Sequence, residues 1–154
     1  MGCDAAWLVT NRWLHWDKFE WQFGALARAA GAVGLDLRRV STDEVVAAMG
    51  TGPLPRVALI QDKDVAVVAQ LEALGVRTIN TATAIAACDN KAYTHAVLSH
   101  AGIAHPCTLT APLAYRNLSA AEWEESEFLA AVDLQLCYPV VAKRAIGSWG
   151  QGVE

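Results

Sequence analysis

Short, nearly unbroken apolar runs alternate along the first half of the chain with segments whose apolar residues recur at helical spacing. Ala5 to Thr10 predicts a buried strand, and Asp17 to Val33 predicts a helix from Phe19, Phe23, Leu26 and Ala30, closed by Gly31 and Gly34. Leu35 to Val40 predicts a second strand. Ser41-Thr-Asp-Glu44 is a capping-box start, with serine capping an early backbone N–H and glutamate reaching back, and it opens a helix through Met49. Val57 to Ile60 and Val76 to Ile79 predict two more strands. Between them Asp64 caps a helix that Gly75 stops, and Thr81 or Thr83 begins another. Strands without clean alternation, joined by helices, imply a parallel sheet covered on both faces. Residues 1–85 therefore predict a small open α/β layer, Rossmann-like in architecture.

After residue 85 the pattern changes. Asp89 to Gly102 predicts a helix with Asp89 near its start and Lys91 in its first turn, followed by a strand at Cys107 to Thr110. Ser119-Ala-Ala-Glu122 repeats the capping box before an acidic helix reaching about Leu134, whose glutamates form a solvent face. Pro139 to Ala142 predicts a strand, Lys143 stands at its far end, and Gly147, Gly150 and Gly152 follow. Such a run is either a hairpin turn or a loop whose backbone N–H groups close over phosphate oxygens, with the strand lysine as a point charge. It is neither a Walker P-loop nor Gly-x-Gly-x-x-Gly. A cation in the first turn of a helix is disfavoured by the helix dipole, so Lys91 is either a solvated surface residue or a partner of the same phosphates.

Composition narrows the classes. A chain of 154 residues with net charge −4 accommodates one domain and part of another, and scattered basic residues make no case for nucleic acid. No segment reaches the ~18 apolar residues of a membrane helix, and residues 1–15 lack signal-peptide grammar. Cys3, Cys88, Cys107 and Cys137 are widely spaced and read as small buried hydrophobes in a reducing cytoplasm. His95 and His100 fall on different faces of their helix, which removes a metal pair there. Trp7, Trp13, Trp16 and Trp21 crowd the first strand and the next helix, where core or interface packing outweighs a ligand crevice. Asn11, Arg12 and His15 at that strand end are weaker substrate-site candidates.

The order Asn80-Thr81 to Ile85, Asp89-Asn-Lys91, Leu98 to Gly102-Ile-Ala-His-Pro106, Thr108, and Tyr138-Pro-Val-Val-Ala-Lys143 with Gly147-Ser-Trp-Gly-Gln-Gly152 resembles the ATP-grasp superfamily. Within it the likeness is to RimK-type α-L-glutamate ligases and similar carboxylate-amine ligases. The resemblance implies a pre-ATP-grasp domain over residues 1–85 and the opening of an ATP-grasp domain over 86–154. It implies that Lys91 and Lys143 hold ATP, chiefly by its phosphates. Gly147, Ser148, Trp149, Gly150, Gln151 and Gly152 match the family's mobile loop over the β- and γ-phosphates, with Ser148 and backbone amides as donors. The implied reaction phosphorylates a small-molecule or peptide carboxylate and lets an amine displace phosphate from the acylphosphate. Fixed positive charge and N–H donors suit that transfer.

Arg144 stands where relatives often carry proline. The family's Mg²⁺ ligands and most of its substrate arginines lie on strands beyond Glu154, so no metal ligand and no catalytic residue is assigned here. The 154-residue chain is accordingly expected to be a truncated, inactive N-terminal portion. The alternative is a non-catalytic nucleotide-binding or partner subunit, a homo-oligomer or a remnant completed by another chain.

Overall fold

The computed structural model describes residues 5–14, 16–147 and 152–154. The chain divides into two compact units, Met1–Ala86 and Ala87–Glu154. The first is a mixed α/β unit built on β1 (Ala6–Thr10), α1 (Asp17–Ala32), β2 (Leu37–Ser41), α2 (Thr42–Met49), β3 (Val57–Gln61), α3 (Val65–Ala73), β4 (Arg77–Ile79) and the start of α4 (Ala82–Asp89). Its four strands are all parallel, in the order β2-β1-β3-β4. β1 is buried along its whole length because it has a neighbour on each side and side chains covered on both faces.

Period-two alternation sorts the core into two layers. Trp7 and Val9 of β1, Val40 of β2 and Ala58 and Ile60 of β3 pack with Val45 of α2 and Val67, Val68 and Leu71 of α3, together with Ala82 and Ile85. Leu8 points the other way and is 1% exposed; Phe23 and Ala30 are the buried residues of α1. On β2, Arg39 alternates with Val40 and lies over the Phe23 ring, 4.6 Å from its centroid, while its guanidinium makes a two-point pair with Glu20 of α1 at 2.6 and 2.8 Å. α1 is thereby held to an edge strand whose outward positions are too polar to supply a second apolar face.

The local signals act as their chemistry requires. Glu44 accepts from Ser41 N at 2.7 Å and from the Ser41 hydroxyl at 2.6 Å. Asp64 accepts from Val67 N at 3.0 Å, and the Thr81 hydroxyl accepts from Ala84 N at 3.2 Å, so the start of α4 belongs to Thr81. Gly75, at φ 87°, sits just past α3 in the left-handed region that favours glycine.

The second unit contains the rest of α4, then α5 (Lys91–His100), α6 (Ala120–Glu124) and α7 (Glu127–Gln135). Five expectations change here. Asp89 ends α4, and Asn90 caps α5 instead, its side-chain oxygen accepting from Tyr93 N at 3.2 Å. The acidic helix breaks in two, because Ser126 donates its hydroxyl to Trp123 O at 2.6 Å and caps α7 through Leu129 N at 3.3 Å. Cys107 to Thr110 is not a strand, since no second strand is there to complete a ladder; Pro139 to Ala142 is likewise irregular up to Ala142. Cys88, Cys107 and Cys137 are exposed free thiols rather than buried hydrophobes, because this unit buries little: Val132 is its one buried apolar side chain among the described residues. Cys3 lies outside the described residues. Of the tryptophans, Trp7 is core, whereas Trp13, Trp16 and Trp21 are exposed. Among the described residues no helix is long and apolar enough to cross a membrane.

Candidate functional site

In the second unit Lys91 and Lys143 each pair with one end of the glycine run. Lys91 is the first residue of α5, directly after the Asn90 cap. Its backbone N–H donates to Ala145 O at 2.7 Å, Asn90 pairs antiparallel with Ile146, and its amine donates to Gly147 O at 2.7 Å. The first turn of α5 is therefore stitched to residues 145–147 by three successive contacts, and the Lys91 charge, unfavourable beside the helix N-terminus, is answered by a carbonyl dipole. Lys143 pairs antiparallel with Val153. Around it Ala142 and Glu154 exchange two backbone bonds of 2.9 Å, and Arg144 N donates to Gly152 O at 2.9 Å. Segments 142–144 and 152–154 thus close the glycine run at its base.

Gly152 has φ 65°, and a Cβ built there would stand 2.6 Å from Arg144 Cδ, so the arginine side chain lies where any other residue would carry its side chain. The Lys143 amine is exposed and has no hydrogen-bond or ion-pair partner among the described residues. Lys91 thus meets the glycine run at Gly147, and Lys143 and Arg144 lie on the segment that pairs with its far end, Gly152 and Val153. Ser148, Trp149, Gly150 and Gln151, also named from the sequence, lie outside the described residues.

Of two further clusters, one escaped the sequence reading and the other was named from it only at Asn11 and Arg12. His95 Nδ1 lies 3.3 Å from His105 Nδ1, and His105 Nε2 lies 2.7 Å from Ser99 Oγ. His105 Nδ1 is also 2.9 Å from Pro106 O, an acceptor only, so Nδ1 carries the proton and Nε2 accepts from the serine hydroxyl. The reversal at Gly102, φ 67°, that folds His105 back onto α5 was visible as a helix stop but not as a contact.

The other cluster is in the first unit, beyond the carboxyl ends of β1 and β3. Asp62 accepts from Asn11 Nδ2 at 3.2 Å, from its neighbour Lys63 N at 2.6 Å, and from the Thr42 hydroxyl, which also reaches Thr10 O at 3.2 Å. Asn11 is thus committed to holding two strand ends together. Arg12 turns outward and pairs with Asp43 at 2.6 Å. Beside it, at the ends of β1 and β2, is an open cleft of about 310 Å³ lined by Thr10, Asn11, Arg12, Arg39, Val40, Ser41 and Glu44. Glu44 is held below the usual carboxylate range by the Ser41 hydroxyl and then by the Ser41 backbone N–H. His15 lies outside the described residues. Among the described residues no group of three His, Cys, Asp or Glu side chains could hold a metal.

No family model matches the chain. Partial similarity does extend to a ligase. Over 82 residues, 53% of this chain, the sequence is 37% identical to the alpha-aminoadipate–LysW ligase LysX of Sulfurisphaera tokodaii, covering 25% of that protein. Over 96 residues, 62% of this chain, it is 38% identical to an uncharacterized protein of Mycoplasma pneumoniae, the MG012 homolog, covering 33% of it. The chain thus matches a third or less of the length of these relatives.

Proposed function

We propose that residues 1–154 correspond to the leading part of an ATP-dependent carboxylate-amine ligase of the ATP-grasp superfamily, RimK-like in type, and that the clasp of the second unit grips the nucleotide phosphates. The observation that carries this reading is the convergence of Lys91 on Gly147, with its amine 2.7 Å from the carbonyl at the start of the glycine run. The partial similarity to LysX supports the ligase class. In this reading 1–85 is the pre-ATP-grasp domain and 86–154 the opening of the ATP-grasp domain.

The residues present fit phosphate. Lys143 offers an unpaired ammonium, Lys91 trades a neutral carbonyl for an anion, and Arg144 adds a third charge beside Gly152. Backbone N–H groups of the glycine run would supply the remaining donors. ATP supplies the phosphoryl group that activates the carboxylate for attack by an amine. The protein's part is to hold that charge in place, since phosphoryl transfer is accelerated by positioning and electrostatics. Mg²⁺ accompanies the nucleotide in this family, and none of the described residues is assigned to it.

A second reading, a nucleotide-binding or partner subunit completed by other polypeptide, is favoured by the exposed Leu113, Tyr115, Leu134 and Tyr138 of the second unit. Titration of the chain with ATP in Mg²⁺ buffer tests the shared nucleotide claim. Saturable binding that falls at least about tenfold in Lys143→Ala, as expected for loss of a charged contact, supports it. Equal binding by Lys91→Ala, Lys143→Ala and the parent rejects it. Ligase turnover with a carboxylate and an amine separates the first reading from the second.

A further inference from the structure

His95, halfway along α5, and His105, in the segment that turns back after Gly102, are both half-buried and face one another through their Nδ1 atoms. Two acceptors converge on one proton there: His95 Nδ1 and Pro106 O lie 3.3 and 2.9 Å from His105 Nδ1. His95 Nδ1 is bare, since a second N–H at that place would point at the first. The separation of the two nitrogens is informative. Nitrogens bound to one zinc ion at about 2.0–2.1 Å with a tetrahedral angle stand about 3.3–3.4 Å apart. At the same bond lengths the right angle of a square-planar ion brings them to about 2.9 Å. The observed 3.3 Å is the tetrahedral spacing. The rings meet edge-on at 67°, so the pair is joined through its nitrogens and not by stacking. A ligating imidazole donates its other ring N–H to a neighbour. His105 already has that neighbour, because Ser99 Oγ is 2.7 Å from Nε2 and a hydroxyl accepts as well as donates. Moving the His105 proton from Nδ1 to Nε2 therefore frees the ligand atom, keeps the ring neutral and releases no proton. The second unit has Val132 as its one buried apolar side chain among the described residues. A fold with so little core is the kind that a metal crosslink stabilises.

We propose that His95 and His105 bind a zinc ion through their Nδ1 atoms and that the ion ties the segment after Gly102 to α5. Among the described residues no third His, Cys, Asp or Glu joins them, so water completes the tetrahedron and the site is open. Magnesium does not suit it, being a hard cation that takes oxygen ligands and gives up its water reluctantly. The site is therefore independent of any magnesium that accompanies a nucleotide.

The test is a titration of the full chain with zinc chloride, without nucleotide, read by NMR at the histidine ring nitrogens, so that failure of the nucleotide reading leaves it unaffected. Saturable shifts at Nδ1 of His95 and His105 are expected below about 1 mM zinc. His105 Nε2 should become protonated, and His100, on another face of α5, should not move. The Ile103 amide, bonded to Leu98 O at 3.0 Å, should gain exchange protection as the segment is tied down. His95→Gln and His105→Gln should each weaken binding at least about tenfold through loss of a ligand. Magnesium chloride at the same concentration should shift neither ring. Because the ring shifts are read in the unsubstituted chain, that result stands even where a variant fails to fold. The proposal is overturned by ring nitrogens that do not move, including the case in which zinc goes to the exposed Cys88, Cys107 or Cys137 instead. It is equally overturned by coordination through Nε2, or by binding that survives both substitutions.

Discussion

Leu71 is among the largest fully buried side chains of the first unit, and Leu71→Ala gives the unit's dependence on its core a number. Leu71 is 0% exposed, sits in α3 against β3 and β4, and belongs to the same core as Val45, Ile60 and Val68. Removing its isobutyl group loses the transfer energy of the buried carbons and leaves a cavity that neighbours on a hydrogen-bonded sheet can only partly fill. Such truncations cost about 3–5 kcal/mol where collapse is restricted. A unit of the size of Met1–Ala86 has a total stability of about 4–13 kcal/mol at typical values per residue, so the loss is a large part of it. Native-state hydrogen exchange of peptides from β1 and β3 in the full chain reads the first unit without contribution from the second. The slowest amides should exchange about 100-fold faster or more, corresponding to about 3 kcal/mol. A change below about fivefold would refute the assignment of Leu71 to a rigid, close-packed core.

Two further outcomes are expected. Arg116 and the Ser119 cap hold the exposed Glu122 down to about 2, below the usual carboxylate range, the Arg116 pair contributing most. A depressed carboxylate stabilises α6 above its unfolded pKa and loses that contribution as pH falls from about 4.5 through about 2, so amide protection of residues 119–124 should drop over that interval. Glu122→Gln should flatten the dependence, and an unchanged profile in the variant would contradict it. Gly152→Ala places a Cβ at a positive φ and against Arg144, a backbone cost of about 1–2 kcal/mol before the arginine moves. The Arg144–Gly152 and Ala142–Glu154 amides should lose protection while those of β1 and β3 stay unchanged; intact protection in the clasp would show that glycine is not required there.

Reading the chain residue by residue was sufficient wherever the determining interaction is local. The boundaries of β1 and α1, the two capping boxes and the Asp64 cap follow from neighbours one to four residues apart, which is the range over which backbone N–H groups at helix starts find side-chain acceptors. The parallel character of the sheet was likewise legible, because strands joined through helices leave little else. What escaped were consequences of distance along the chain. Cys107 to Thr110 has strand-like residues, yet a strand exists only where a second one pairs with it. Asp89, read near the start of a helix, instead ends α4, and α5 starts after the Asn90 cap, because two helices meet there, which periodicity alone does not resolve.

The same division holds for the candidate sites. Lys91, Lys143 and the glycine run could be named as residue types suited to phosphate, but the contact of Lys91 with residues 145 and 147 depends on bonds across more than fifty residues. Asn11, named from its strand end, proved to be occupied with Asp62, while Arg12 beside it pairs with Asp43 at the rim of a cleft that Arg39 and Glu44 also line from the next strand and helix. Residue chemistry is written in the sequence one position at a time. Which donors remain unsatisfied, and therefore what the protein can bind, is set only when the fold has assigned each of them a partner or left it without one.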